Sequence, residues 1–373
     1  MQVLEPHAPE TLPFDLSDEQ ASLHTLLVTL VHAGGSDLHL TPGAPPTIRV
    51  HGRLVHLTDY DVLTPADTST LIRAALTDEQ WLRFERDQEL DFAYSVDGVS
   101  RFRVNIYTQR GTRSAAFRAI PHQIKNVEEL DLPPSVTGFA ALHRGLVLVT
   151  GPTGSGKTTT LAALLDHANS TRSAHILTIE DPIEFLHHHR RSLVNQREVG
   201  SDTGSFATAL RQALRQDPDI ILVGELRDLE TTSVALTAAE TGHLVLATLH
   251  TQSAAQTIDR IIDIFPGHQQ QEVRAQLSMT LQGVVTQALC PRADGNGRTV
   301  IAEVMVGTPA IRNLIREGKT FQIPSFLQSG AGGGMQSFDQ HLAQRVAGQV
   351  VTFDQALEIC HSPEEFKRLA GRR

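Results

Sequence analysis

Eight consecutive residues, Gly151-Pro152-Thr153-Gly154-Ser155-Gly156-Lys157-Thr158, have the spacing G-x-x-x-x-G-K-[ST]. Glycines at 151, 154 and 156 let the backbone curl into a nest whose N–H groups converge on phosphate oxygens. A helix starting directly behind it adds roughly half a positive charge at its N-terminus, and Lys157 sets its ammonium on the outer phosphates. Thr158 offers a hydroxyl to Mg²⁺. The expected ligands are therefore ATP and Mg²⁺, held by residues 151–158 together with Thr159.

Cleaving the triphosphate requires carboxylates. The run Asp219-Ile220-Ile221-Leu222-Val223-Gly224-Glu225 reads as an apolar strand ending in a glycine and an acid. Many nucleotide cradles place a metal-binding aspartate at that strand end. Here Gly224 stands there, which leaves Glu225 as the general base polarising the attacking water and as a metal-site candidate. A second strand ends in Glu180-Asp181-Pro182-Ile183-Glu184, where Pro182 cannot continue a ladder and turns the chain. Glu180 and Glu184 are the expected helpers in organising Mg²⁺. A third strand, Leu244–Leu249, lies between His243 and His250; His250 is expected to read the γ-phosphate or the water, and His243 is taken as a second nucleotide contact. Extra positive charge for the transition state is expected from Arg101 and Arg103, two apart on a strand and so on one face, within a cluster that also contains Arg110, Arg113 and Arg118.

The elements that must position these residues fall into two textures. Leu23, Leu26, Leu27, Leu30 and Val31 recur at helical spacing behind a Ser17/Gln20 capping box. Strand-like segments follow at 36–40, 47–50, 90–96 and 100–107, with helical character over 64–85 and a hairpin signal at Asp97-Gly98. This predicts a small α+β domain over 17–120, behind an arm at 1–16. Residues 121–140 read as a linker. From Gly145 onward short apolar strands (146–150, 176–179, 220–223, 244–249) alternate with helical stretches, which predicts a mainly parallel sheet with helices on both faces in a core over 141–307. The remainder, 308–373, reads as short helices.

Composition narrows the function classes. A net charge of −10 across 373 residues supplies no basic excess for a phosphate backbone, so direct nucleic-acid binding is not expected. Cys290 and Cys360 stand far apart with no C-x-x-C pair, which argues against structural zinc and against a disulfide framework. No stretch approaches 18 uninterrupted apolar residues, so membrane contact is expected to be peripheral or through a partner.

The cradle, Gly35–Leu40, Arg101–Ile106, the acid-rich Thr178–Phe185, Asp217–Glu230, the histidine-bearing Glu240–Thr251, Ala310–Glu317 and Gly334–Gln340 together resemble the retraction ATPases of type IV pili, within the secretion-type ATPase superfamily. The tetracysteine motif usual in pilus-assembly motors is absent. The resemblance implies a PAS-like first domain, a RecA-like P-loop NTPase second domain, a homohexameric ring, and hydrolysis that drives an inner-membrane platform protein from the cytoplasmic side of the pilus base to withdraw pilin. A second retraction or assembly ATPase is a further candidate partner. Pilus assembly or type II secretion is the alternative, with a RecA-like nucleic-acid motor behind it and, in another class, a nucleotide-dependent binding module. In Ala310–Glu317, Ala310, Ile311, Leu314 and Ile315 share an apolar face, so Arg312 and Arg316 are expected to point outward, either onto a coupling surface or into solvent.

Overall fold

In the computed structural model, which describes residues 18–50, 52–120, 124–330 and 333–371, the chain divides into two compact units, one ending at His122 and the other starting at Gln123. The arm 1–16 and the Ser17 cap lie outside the described residues.

The first unit starts with α1 (Asp18–His32), β1 (Gly35–Leu40), β2 (Thr47–Val50) and β3 (Arg53–His56). It continues with α2 (Pro65–Ala74), α3 (Asp78–Asp87), β4 (Glu89–Val96), β5 (Ser100–Gln109) and β6 (Thr112–Ile120). Its six strands form one sheet in the order β3-β2-β1-β6-β5-β4, every pairing antiparallel. The helical stretch expected over 64–85 is two helices, because Thr77 forms a second capping box with Gln80 and restarts the chain. On β5, Phe102, Val104 and Ile106 face a core shared with Leu23, Leu27 and Leu30 of α1. Arg101 and Arg103 therefore share the opposite face.

The second unit opens with α4 (Pro134–Ala140), β7 (Gly145–Thr150), α5 (Lys157–Thr171), β8 (His175–Glu180) and β9 (Leu193–Glu198). Then come α6 (Phe206–Ala213), β10 (Ile220–Val223), α7 (Leu229–Glu240), β11 (Leu244–Leu249), α8 (Ala254–Asp263) and α9 (Gln270–Thr280). It closes with β12 (Leu281–Pro291), β13 (Arg298–Val306), α10 (Pro309–Arg316), α11 (Ile323–Ser329), α12 (Phe338–Ala347), α13 (Phe353–Ile359) and α14 (Pro363–Leu369). The seven-stranded sheet runs β13-β12-β7-β11-β10-β8-β9. All its pairings are parallel except the β12–β13 hairpin.

Alternate residues explain the unbroken apolar runs. On β7, Leu146 and Leu148 face a core with α6, α7 and α8, whereas Val147 and Val149 face α4 and α5. A sheet covered on both faces has no solvent side to leave polar. Within the stretch expected to be a linker, α4 forms instead, and Val127, Leu132, Val136 and Phe139 bury into that second core. Four apolar anchors outweigh the polar composition around them.

Among the described residues no helix is long and apolar enough to cross a membrane.

Candidate active site

The strand order decides what meets. β7, β11, β10 and β8 lie side by side and parallel, so the segments leaving their C-terminal ends gather along one edge, where open α/β sheets bind ligands. The loop 151–156 leaves β7, His250 follows β11, Glu225 lies just past β10, and Glu180 ends β8.

The loop has the shape its glycines permit. Gly151, Gly154 and Gly156 have φ of +139°, +79° and +89°, values that L side chains rarely adopt. No side chain caps the N-terminus of α5, so its first N–H groups are left for a ligand. The Ser155 hydroxyl is buried without a hydrogen-bond partner in the described structure, and the Thr158 hydroxyl is exposed. Lys157 Nζ donates to the carbonyls of Gly151 at 2.8 Å and Pro152 at 3.1 Å, folding the ammonium across the loop mouth. Burial lowers its pKa and the nearby Glu225 charge pulls it back up.

A chain of polar contacts runs from the lysine to the carboxylate. Lys157 Nζ is 3.4 Å from His250 Nδ1, and His250 Nε2 is 3.2 Å from Glu225 Oε1. Arg227 holds the other carboxylate oxygen at 2.8 Å. Burial pushes the Glu225 carboxyl up, but the hydrogen bonds and charges of Arg227 and His250 outweigh it and hold the group below the ordinary glutamate value. Glu225 is therefore ionised and oriented at neutral pH. The preceding Gly224 is packed: a Cβ there would lie 3.3 Å from the carbonyl of Ile179 and 3.4 Å from the Phe206 ring, which leaves little room for the aspartate common at this position.

Glu180 is almost wholly buried, at 8% exposure. Its Oε1 accepts from the Thr178 hydroxyl at 2.6 Å and from Gln196 Nε2 at 3.1 Å. Burial raises its pKa against these bonds and a further one from the Glu184 backbone. That last contact braces the turn carrying Glu184, which is only half-buried, so Glu184 is the more accessible acid of the two. Asp181 lies within electrostatic reach of Arg227.

His243 does not join this group. It precedes β11 and so lies at the other edge of the sheet, about 20 Å along a strand of six residues, with Nδ1 3.0 Å from the carbonyl of Ala238. Its place is at the C-terminal turn of α7, and the nucleotide role expected from its being in the same segment as His250 is withdrawn.

Arg312 also departs from expectation. Its guanidinium donates to the carbonyls of Gly307, Ser278 and Met279 and to Gln282 Oε1, and burial lowers its pKa. It closes the C-terminal end of α9 rather than pointing outward. In the first unit Arg113 is bonded to Glu85 and stacks over Trp81, and Arg118 is bonded to Asp37, while Arg103 is exposed and Arg101 half-buried on the outer face of β5.

Several site residues were not legible beforehand. Arg227 is one. Gln287, 2% exposed on β12, donates from Nε2 to the Ser155 carbonyl at 2.7 Å and accepts from the Thr160 hydroxyl at 2.9 Å. Beside it a line of hydroxyls joins Thr286 to Thr150 at 2.8 Å, Thr150 to Thr257 at 3.5 Å and Thr257 to Thr251 at 2.7 Å. Glu303 on β13 accepts from the Ala254 amide at 2.7 Å and from the Phe338 backbone. No sequence signal marked these residues, since each sits in an apolar strand or beside a motif.

Residues 101–357 match the family model described as type II/IV secretion system protein. The chain is 51% identical over 341 residues to the type IV pilus retractation ATPase PilT of Pseudomonas aeruginosa, covering 91% of this chain and 98% of that one. It is 49% identical over 301 residues to a twitching motility protein of Neisseria gonorrhoeae, covering 81% and 80%. A crystal structure of the pilus retraction motor PilT with bound ADP superposes with a TM-score of 0.87 at 46% identity, over 95% of this chain and 100% of that one. The loop that cradles phosphate, the acids beyond it and these likenesses agree: the chain belongs to the type II/IV secretion system protein family.

Proposed function

We propose that the protein is an ATP-hydrolysing motor that powers retraction of type IV pili. The observation that carries this reading is the linked set Lys157, His250 and Glu225 on the edge of three neighbouring parallel strands, facing a preformed phosphate loop. The similarity over nearly all of PilT's length supports the choice of retraction.

The residues divide the work. Backbone amides of 151–158 and Lys157 bind the β- and γ-phosphates of ATP, and Thr159 adds to the first turn of the helix. The orphaned Ser155 hydroxyl and the exposed Thr158 hydroxyl suit an oxygen-rich, anionic ligand accompanied by a hard cation. Thr158 would hold Mg²⁺, with Glu180, Glu184 and Glu225 as the acids that would help organise it; when bound, such an ion would neutralise charge on the phosphate oxygens. Glu225, ionised, orients the attacking water and receives its proton. His250, in contact with both Lys157 and Glu225, registers whether the γ-phosphate is present. Arg101 and Arg103 supply further positive charge to the transferring phosphoryl group. The motor works as a homohexamer at the cytoplasmic face of the inner membrane, and the platform protein of the pilus machine receives its motion.

Deleting the gene and scoring surface motility and piliation tests this. Retraction predicts lost twitching with excess surface pili; lost pili would assign the protein to assembly. Stimulation of ATP turnover by DNA in the purified protein would instead favour a nucleic-acid motor.

A further inference from the structure

Gln287 meets the phosphate loop at both its ends. Its main-chain carbonyl oxygen lies where a side chain on Gly151 would stand, 2.2 Å from a Cβ built there, so the loop's first glycine is packed against the backbone of β12. Its Nε2 donates to the carbonyl of Ser155 at 2.7 Å and lies 3.2 Å from a Cβ built on Gly156. Its Oε1 accepts from Thr160 at 2.9 Å, in the first turn of α5. One residue, from a strand more than 130 positions further along, thus holds the start of the loop, its far limb and the helix that follows.

The amide is matched to this task in both directions. The Ser155 carbonyl needs a donor and the Thr160 hydroxyl needs an acceptor, and a primary amide offers one of each at opposite oxygen and nitrogen atoms. Because the site is buried, a missing partner leaves an unpaired group rather than a hydrated one. Within the loop, the Ser155 N–H donates to the Pro152 carbonyl at 3.2 Å and Lys157 donates to the carbonyls of Gly151 and Pro152, and the lysine's tie must yield for the ammonium to reach a phosphate. Gln287 can keep the loop open at that moment.

We infer that Gln287 is a positioning residue that holds residues 151–160 in the nucleotide-receiving shape through its side-chain amide, without touching the nucleotide itself. This rests on reading 151–158 as the nucleotide cradle. Apparent affinity falls in proportion to the fraction of molecules whose loop is competent, so loosening the loop raises the dissociation constant and largely spares turnover at saturation.

The test is calorimetric titration of the full-length protein with Mg·ADP, alongside steady-state ATP turnover and thermal melting. Gln287→Met keeps the volume and removes both hydrogen bonds; Gln287→Ala removes the volume as well; Thr160→Val removes one partner only. The expected result is a dissociation constant and KM raised tenfold or more in Q287M and Q287A, a smaller rise in T160V, and kcat within about threefold of the parent. Q287M and T160V combined should weaken binding by less than the product of the two single effects, because they break one shared bond. A folded Q287M with the parent's dissociation constant, or one in which kcat falls while affinity holds, would overturn the inference. Failure of the parent protein itself to bind Mg·ADP would instead strike the reading of the cradle.

Discussion

Replacing Glu303 by Gln should reverse part of the protein's pH-dependence of stability. Glu303 is buried on β13 between two helix starts, accepting from Ala254 of α8 and Phe338 of α12. Burial raises its carboxyl, the Asp339 charge adds to this, and the two backbone bonds oppose it, leaving it at about 7 against an ordinary 4.5. The folded state therefore binds a proton that the unfolded state has released between these values. Glu303 contributes stability that is fully present below pH 4.5 and is lost as pH rises through 7. Integrated from pH 5 to 8, this corresponds to about 2.5 kcal/mol, or roughly 5–10 °C in melting temperature for a unit of this size. An amide does not titrate, so E303Q should gain on the parent by that amount as pH rises over this interval. The half-buried His187 and the buried His341, each lowered by desolvation to about 4, act in the opposite sense between pH 4 and 6.5, but they are common to both proteins and cancel in the difference. Urea unfolding of both full-length proteins at four pH values measures it. Parallel curves from pH 5 to 8 would refute the argument, since they would mean that Glu303 titrates alike in folded and unfolded chains.

Glu225→Gln should cut ATP turnover by about 10²–10⁴ through loss of the general base, while Mg·ADP binding persists; the Arg227 pair is partly exposed, so the change in melting temperature should stay within a few degrees. Titration calorimetry and phosphate release separate the two outcomes, and turnover within threefold of the parent would remove Glu225 from the mechanism. Arg312→Ala breaks bonds to three carbonyls and one amide oxygen, a loss of about 2–4 kcal/mol after allowing for its partial exposure, whereas Arg316→Glu should leave stability unchanged. Scanning calorimetry decides it, and equal melting temperatures for both variants would restore Arg312 to the outward role its position in the sequence first implied.

The catalytic strands were legible because a fully covered parallel sheet must be written in short apolar runs, and because glycines at 151, 154 and 156 with Lys157 admit few other readings. Glu225 was legible from its place just past such a run. His243 misled, because it and His250 stand at the two ends of one strand, and a strand of that length carries them to opposite edges of the sheet. Arg312 misled because a helical wheel assigns a residue to a face without showing that the end of α9 lies under it.

Gln287 and Glu303 expose a deeper limit on reading function from spacing. Both belong to the β12–β13 hairpin, whose strands mix apolar residues with Gln282, Thr286, Arg298 and Thr299 in no pattern of catalytic appearance. Their partners are set by strand order: β12 lies beside β7, which brings Gln287 under the phosphate loop, and Thr286 lies opposite Glu303, which brings the carboxyl to the start of α8, four residues after His250. The same hairpin is bonded through Val304 and Ala302 to Gln336, just ahead of α12. It touches the phosphate loop, the segment that follows His250, and the helices at the end of the chain. A buried polar residue in a strand beside a cradle is costly unless it is paired, so in sequences of this kind such residues identify the parts of the sheet that hold the site's loops in place.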